Sequence, residues 1–111
     1  MKKKLLPVRW TVMAANDLER ICDHIAVDNL TAAGDILQKI RKAARDLERH
    51  PFKFRAVPEL VELGLPQYRD MVLTPYRVIY KVTDDAVFVI AIFDGRRDIE
   101  SLLLERMLYG K

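Results

Sequence analysis

Residues 87–93 run Val-Phe-Val-Ile-Ala-Ile-Phe, with no polar side chain in seven positions. A strand that keeps one face in water alternates apolar with polar residues. An unbroken apolar run of this kind predicts a strand covered on both faces. The preceding residues supply its partners. Tyr76–Thr83 predicts a neighbouring strand, joined to it by a turn at Asp84-Asp85, and Tyr68–Leu73 predicts a third, turned by Thr74-Pro75. The last strand runs into Gly95-Arg96-Arg97-Asp98. A packed core has no need of Gly-Arg-Arg at a strand end, so this corner points outward, to a partner or an anionic target.

The first half of the chain has a different period. Leu5–Thr11 predicts a first strand with Val8 and Trp10 on one face. Leu18, Ile21, Cys22 and Ile25 then recur at helical spacing in a helix over Val12–Val27, opposite Asp17, Glu19, Arg20, Asp23 and His24. Asp28-Asn29 breaks it, and either Asn29 or Thr31 caps the next helix, Leu30–Arg49. Ile36, Leu37, Ile40, Ala44 and Leu47 form its apolar stripe, and Pro51 stops it. So short a link implies an antiparallel helical hairpin. Residues 51–66 are punctuated by Pro51, Pro58, Gly64 and Pro66 and predict irregular chain, with a helical turn or an extended piece at Glu59–Leu65. Ile99–Leu108 predicts a short amphipathic helix capped by Asp98. The expected fold class is α+β: an N-terminal strand and an antiparallel helical hairpin on an antiparallel three- to four-stranded sheet, with a short C-terminal helix. The first strand joins that sheet at an edge or beside the last strand.

With 111 residues the chain is long enough for one compact domain, 1–111, and too short for two. The net charge of +3 is compatible with an anionic partner without requiring one. One cysteine, Cys22, cannot form an intrachain disulfide and points to a reducing compartment. It lies on the apolar stripe of the first helix, where it reads as a small core residue; Trp10 reads likewise as core. Lys2, Lys3 and Lys4 are followed by an apolar stretch too short, and too soon broken by Pro7 and Arg9, for a signal peptide. No apolar run reaches the roughly 18–20 residues that span a bilayer. A cytoplasmic protein without a membrane partner is expected, with no cofactor and no metal.

The element order, the segment Pro75–Tyr80 (PYRVIY) and above all Ala91–Asp98 (AIFDGRRD) resemble the RelE/ParE superfamily of type II toxins. The resemblance covers nearly the whole chain. In ParE-like members this strand ends in His-Gly-Arg-Arg-Asp or Asp-Gly-Arg-Arg-Asp, and Asp94 supplies the second form, which aligns the chain with the ParE-like branch. That resemblance implies a toxin that binds and poisons DNA gyrase, silenced by a small acidic antitoxin that folds as it covers the toxin. DNA binding that regulates the operon would belong to the antitoxin, so no direct sequence-specific DNA binding is expected here. The other branch, RelE-like, resembles ribonucleases that cut messenger RNA in the ribosome. A third alternative is an attenuated member that survives only as an antitoxin partner.

Metal-free RNA cleavage needs a base, an acid and cations for the phosphorane. The ribonuclease alternative therefore rests on Arg77 and Lys81, two strand positions flanking Ile79, with Arg97 and the near-terminal Tyr109. Each has a plainer reading: Arg77 and Lys81 as sheet-surface charges, Tyr109 as packing for the last helix. The two histidines, His24 and His50, lie on the helices and far in sequence from the Gly-Arg-Arg corner. The catalytic set is thin, which favours action by binding. Candidate partner contacts are Arg77, Gly95, Arg96 and Arg97; Arg96 and Arg97 can pair with carboxylates of a partner, or one of them is tied instead to Asp94 or Asp70. Leu102, Leu103 and Met107 either dock the last helix or form an antitoxin-binding patch. Lys39–Arg55 carries seven basic residues against Asp46 and Glu48. It reads as a solvated helix face, because a nucleic-acid binder interleaves aromatics and only Phe52 and Phe54 lie nearby in sequence.

Overall fold

Thr11 and Asn29 set the two helices of the hairpin. The Thr11 hydroxyl accepts from the Ala14 N–H at 3.1 Å and starts α1, Val12–Asp28. The Asn29 carboxamide accepts from the Ala32 N–H at 2.9 Å and starts α2, Leu30–Asp46, so Asn29 and not Thr31 is the cap. Each satisfies a backbone donor that has no partner within its helix. The computed structural model describes residues 5–95 and 97–109, and at 107–109 the backbone alone. The remaining elements are β1 Val8–Trp10, β2 Arg55–Ala56, α3 Pro58–Val61, β3 Tyr68–Leu73, β4 Tyr76–Val82, β5 Val87–Asp94 and α4 Ile99–Tyr109.

The strands form a five-stranded sheet in the order β1-β5-β4-β3-β2. The fold class is the α+β arrangement expected. Two details go beyond it. β1 lies both at an edge and beside the last strand, and it runs parallel to β5, Val8 opposite Val87. A fifth strand, the two-residue β2, pairs Arg55 with Asp70 and Ala56 with Arg69 inside the stretch expected to be irregular. Such a strand is too short to show a period of two.

The apolar run of β5 is covered on both faces. On one, Leu18 of α1, Ile40 and Ala44 of α2, and Leu47 just after it pack on Met71, Val78, Tyr80, Val87, Val89 and Ile92. On the other, Val57, Leu60, Ile99 and Leu103 pack on Ile79, Ala91 and Phe93. The short α3 and the C-terminal α4 are thus the second cover. A β-bulge makes the division possible. Ile79 pairs with Ala91 but Tyr80 pairs with Val89, which leaves Ile90 as the extra residue. Without it, Ile92 could not share a face with Val87 and Val89.

The bulge lies where β1 has ended, so the edge of β5 is open there and its backbone polar groups need partners. The Ile92 N–H donates to Asp17 Oδ2 at 3.0 Å, and the Ile90 carbonyl accepts from Arg106 Nη1 at 2.9 Å. Arg106 also grips Asp17 through Nη1–Oδ2 at 2.9 Å and Nη2–Oδ1 at 3.2 Å. Asp17, 3 % exposed, therefore latches α1 on one face to α4 on the other around the edge of the sheet.

Candidate functional site

The Gly-Arg-Arg corner is built on a backbone contact. Where β5 ends, the Gly95 N–H donates to the Pro75 carbonyl at 2.7 Å. A Cβ at Gly95 would sit 3.3 Å from the Pro75 oxygen and 3.4 Å from Arg77 Cδ, so a larger residue fits only if these neighbours give by a few tenths of an ångström. The residue is thus a means of bringing the chain end against the Arg77 stem. The Arg97 N–H continues the turn by donating to the Asp94 carbonyl at 3.1 Å, and its side chain is exposed. Arg96 lies outside the described residues.

Arg77 is not the open sheet-surface charge, nor the freely available partner or phosphate contact, that its strand position suggested. It is 9 % exposed and held between two carboxylates. Nε donates to Asp70 Oδ1 and Oδ2 at 3.2 and 3.1 Å, and Nη2 to Asp70 Oδ2 at 2.6 Å. Nη1 and Nη2 reach Glu59 at 2.7 and 3.0 Å, a bidentate fork onto α3. Asp70, 1 % exposed, also accepts from Arg55 Nη2 at 2.9 Å. The direct Arg77 hydrogen bonds hold the Glu59 carboxyl down at about 2, against burial that acts the other way. Those to Glu59, and then to Asp70, hold the Arg77 guanidinium still more firmly protonated than usual. The strand-centre cation is therefore neutralised from within the fold, and Asp70 is tied to Arg77 and Arg55.

The other candidates do not gather around it. Lys81 lies four residues along the same strand, about 13 Å away at 3.3 Å per residue. Its ammonium sits 5.8 Å from the Tyr68 ring centre. Between the two cations Ile79 is fully buried under α3 and α4, so no continuous cationic face joins them. Leu103 is 1 % exposed and Leu102 half-buried against the same cluster. Of the two uses open to these leucines, the fold realises the internal one: they dock α4 on the sheet and are not an exposed apolar patch. The side chains of Met107 and Tyr109 lie outside the described residues. His24 and His50 are exposed on the hairpin side, and among the described residues no group of His, Cys, Asp and Glu could hold a metal ion.

Reading the sequence missed Glu59, Asp17 and Arg106 as partners, and named Asp70 as a tie for the Gly-Arg-Arg arginines rather than for Arg77. Two left a trace. Asp70 stands inside the strand Tyr68–Leu73, where it is buried beside Met71. Asp17 falls three residues after Ala14 and four before Ile21, on the buried side of α1 rather than the wet one. A carboxylate at an inward position requires a cation or N–H donors.

On its open side the hairpin forms a second feature, a groove of about 490 Å³ lined by Trp10, Leu18, Cys22 and Leu37 with Glu19, Asp23 and Arg41 at its rim. Cys22 packs against the core there, and burial together with the charge of Asp23 raises its thiol pKa, as befits a small apolar filler.

The family sequence model described as ParE toxin of type II toxin-antitoxin system, parDE, matches residues 8–99. The chain belongs to the ParE toxin family. The match takes in β1, the hairpin, the whole sheet and the Gly-Arg-Arg corner, and stops as α4 begins. Among solved structures, this ParE-family chain is similar to one from the chromosomal ParDE TA system from P. aeruginosa, at 22 % identity and a TM-score of 0.69, covering 83 % of this chain and 98 % of that one. It is also similar to one in the toxin–antitoxin complex RelBE2 from Mycobacterium tuberculosis, at 21 % identity and a TM-score of 0.62, covering 84 % and 94 %. At these identities the likeness is one of fold, and it spans both branches of the RelE/ParE superfamily. No curated protein matches the sequence.

Proposed function

We propose that this toxin acts by binding rather than cutting, that DNA gyrase is its target, and that a small acidic antitoxin silences it. The observation that carries the reading is the state of Arg77. A ribonuclease of this size needs cations free to meet a phosphorane. Here the one at the centre of the sheet is occupied on both guanidinium edges by Asp70 and Glu59. For the ribonuclease alternative, with Arg77, Lys81, Arg97 and Tyr109, Arg77 would have to leave both carboxylates and cross a buried Ile79 to act with Lys81. Membership of the ParE family supports the gyrase reading. The neutralising partner is supported by the family description and by the similar chain from Mycobacterium tuberculosis, which was solved as a toxin–antitoxin complex. The apolar groove beside Trp10 and Leu37 is the surface proposed to receive that partner, through apolar contacts.

The test pairs two assays on one preparation. Purified protein should block gyrase supercoiling while leaving ribosome-bound message intact, and addition of the product of an adjacent acidic reading frame should restore supercoiling. Message cut at defined codon positions, with supercoiling unaffected, would establish the ribonuclease alternative in its place.

A further inference from the structure

The fold assembles a cation–aromatic surface that is scattered in the sequence. Phe52, Lys53 and Phe54 follow α2, and Arg69 comes from β3. The Arg69 guanidinium stacks over Phe52 at 4.9 Å, and the Lys53 ammonium lies 5.4 Å from the centre of the Phe54 ring. Phe54 packs into the core, but Phe52 is 64 % exposed. Its loop is nonetheless pinned. Arg69 Nη1 donates to the Phe54 carbonyl at 2.6 Å, and the Tyr80 hydroxyl to the Pro51 carbonyl at 2.8 Å. An exposed aromatic ring on a fixed loop, backed by a cation, is a preformed stacking platform. Beside it opens a cavity of about 240 Å³ lined by Leu47, Met71 and Leu73, with His50, Lys53 and Asp46 at its mouth. That is several times the ~30 Å³ that one water occupies in the liquid. The basic face of α2, with Lys42 and Arg45 exposed, and the exposed Arg49 in the turn after it lead up to it.

We infer that this surface binds single-stranded nucleic acid without sequence preference: a base stacks on Phe52, its neighbour enters the adjacent cavity, and Lys53 with the α2 cations meets the phosphates. Stacking platforms set in a cationic track are how such strands are held, since every base has a π-face. An acidic peptide would use the charges but has no use for an exposed ring already backed by arginine. The surface lies on the hairpin side of the sheet, opposite Arg77, so the inference is independent of the gyrase reading.

The test is fluorescence anisotropy of the full chain with a labelled ten-nucleotide thymidine strand, the same strand with abasic sites, and a labelled poly-glutamate peptide of equal length. The intact strand should bind with a log–log salt slope near −2, the value for about three phosphate contacts at about −0.7 each. Phe52→Ala should weaken it about tenfold, in the range found for one lost base stack, and Phe52→Trp should restore it. Lys53→Ala should flatten the salt slope. Both side chains are on the surface, so the variants keep the fold. Binding of the abasic strand as tight as the intact one, or no effect of Phe52→Ala, would reduce the surface to a charge patch and overturn the inference. Binding of the peptide but not of the strand would overturn it as well.

Discussion

Arg77 shows how one side chain can change its meaning between sequence and fold. In PYRVIY it is a cation between apolar neighbours, open to a phosphate or a partner. In the structure it is the centre of an ion cluster with Asp70, Glu59 and Arg55. Arg77→Ala would leave the buried Asp70 with only the exposed Arg55, and removing one partner of a buried pair costs about 3–5 kcal/mol. Urea unfolding of that variant should show a loss of about 3 kcal/mol, with Arg77→Lys recovering part of it, because an ammonium cannot hold two carboxylates in a fork. The cluster also sets a pH dependence. The Glu59 carboxyl is lowered from 4.5 to about 2 in the folded chain. A carboxylate depressed in this way adds stability that is fully present above its unfolded value and is lost as pH falls from about 4.5 toward 2. Glu59→Gln should therefore be less stable than the parent at pH 6, and the gap should close as urea midpoints are followed down to pH 2. A constant gap over that range would show that Glu59 acts through packing alone.

Among the elements, α4 and β5 carry the least visible part of the design. The apolar run of β5 was legible at once, and so were the hairpin, the Thr83-to-Ala86 turn and the Asp98 cap, whose carboxylate accepts from the Ser101 N–H at 3.2 Å. These depend on neighbours in sequence: spacing, capping residues and turn chemistry. The bulge at Ile90 and its latch do not. They join Thr11, Asp17, Ile90, Ile92 and Arg106, and the Arg106–Asp17 contact spans 89 positions. No local period signals such a pairing. Asp17→Ala should leave the Ile92 N–H without its acceptor and the nearly buried Arg106 without its carboxylate. A loss of about 3 kcal/mol is expected, that of a broken buried ion pair. Hydrogen exchange should localise it: amides of residues 99–106 should lose protection first, while β3 and β4 keep theirs. Uniform loss across the sheet would mean that Asp17 supports the fold as a whole and not the docking of α4. The same distinction explains why Phe52 looked unpromising in sequence. Its stacking partner Arg69 is 17 positions away and arrives only when β2 pairs with β3.

At the scale of the molecule, the sheet separates two surfaces. One face, under α3 and α4, is closed: Arg77 is paired and the leucines are packed. The hairpin side is open, with the Trp10 groove at one end and the Phe52 platform reached from the other helix. Family and fold were legible because Asp94-Gly95-Arg96-Arg97-Asp98 and the element order are both written locally in the chain. The state of the site was not, because whether an arginine is free depends on carboxylates 7 and 18 residues away. A toxin whose central cation is neutralised within its own fold should work through its surfaces. The measurement that tests this most directly is the paired assay of gyrase supercoiling and of ribosome-bound message on the same purified protein. Supercoiling blocked with the message intact is the result this account predicts; message cleaved at defined codons with supercoiling untouched would contradict it.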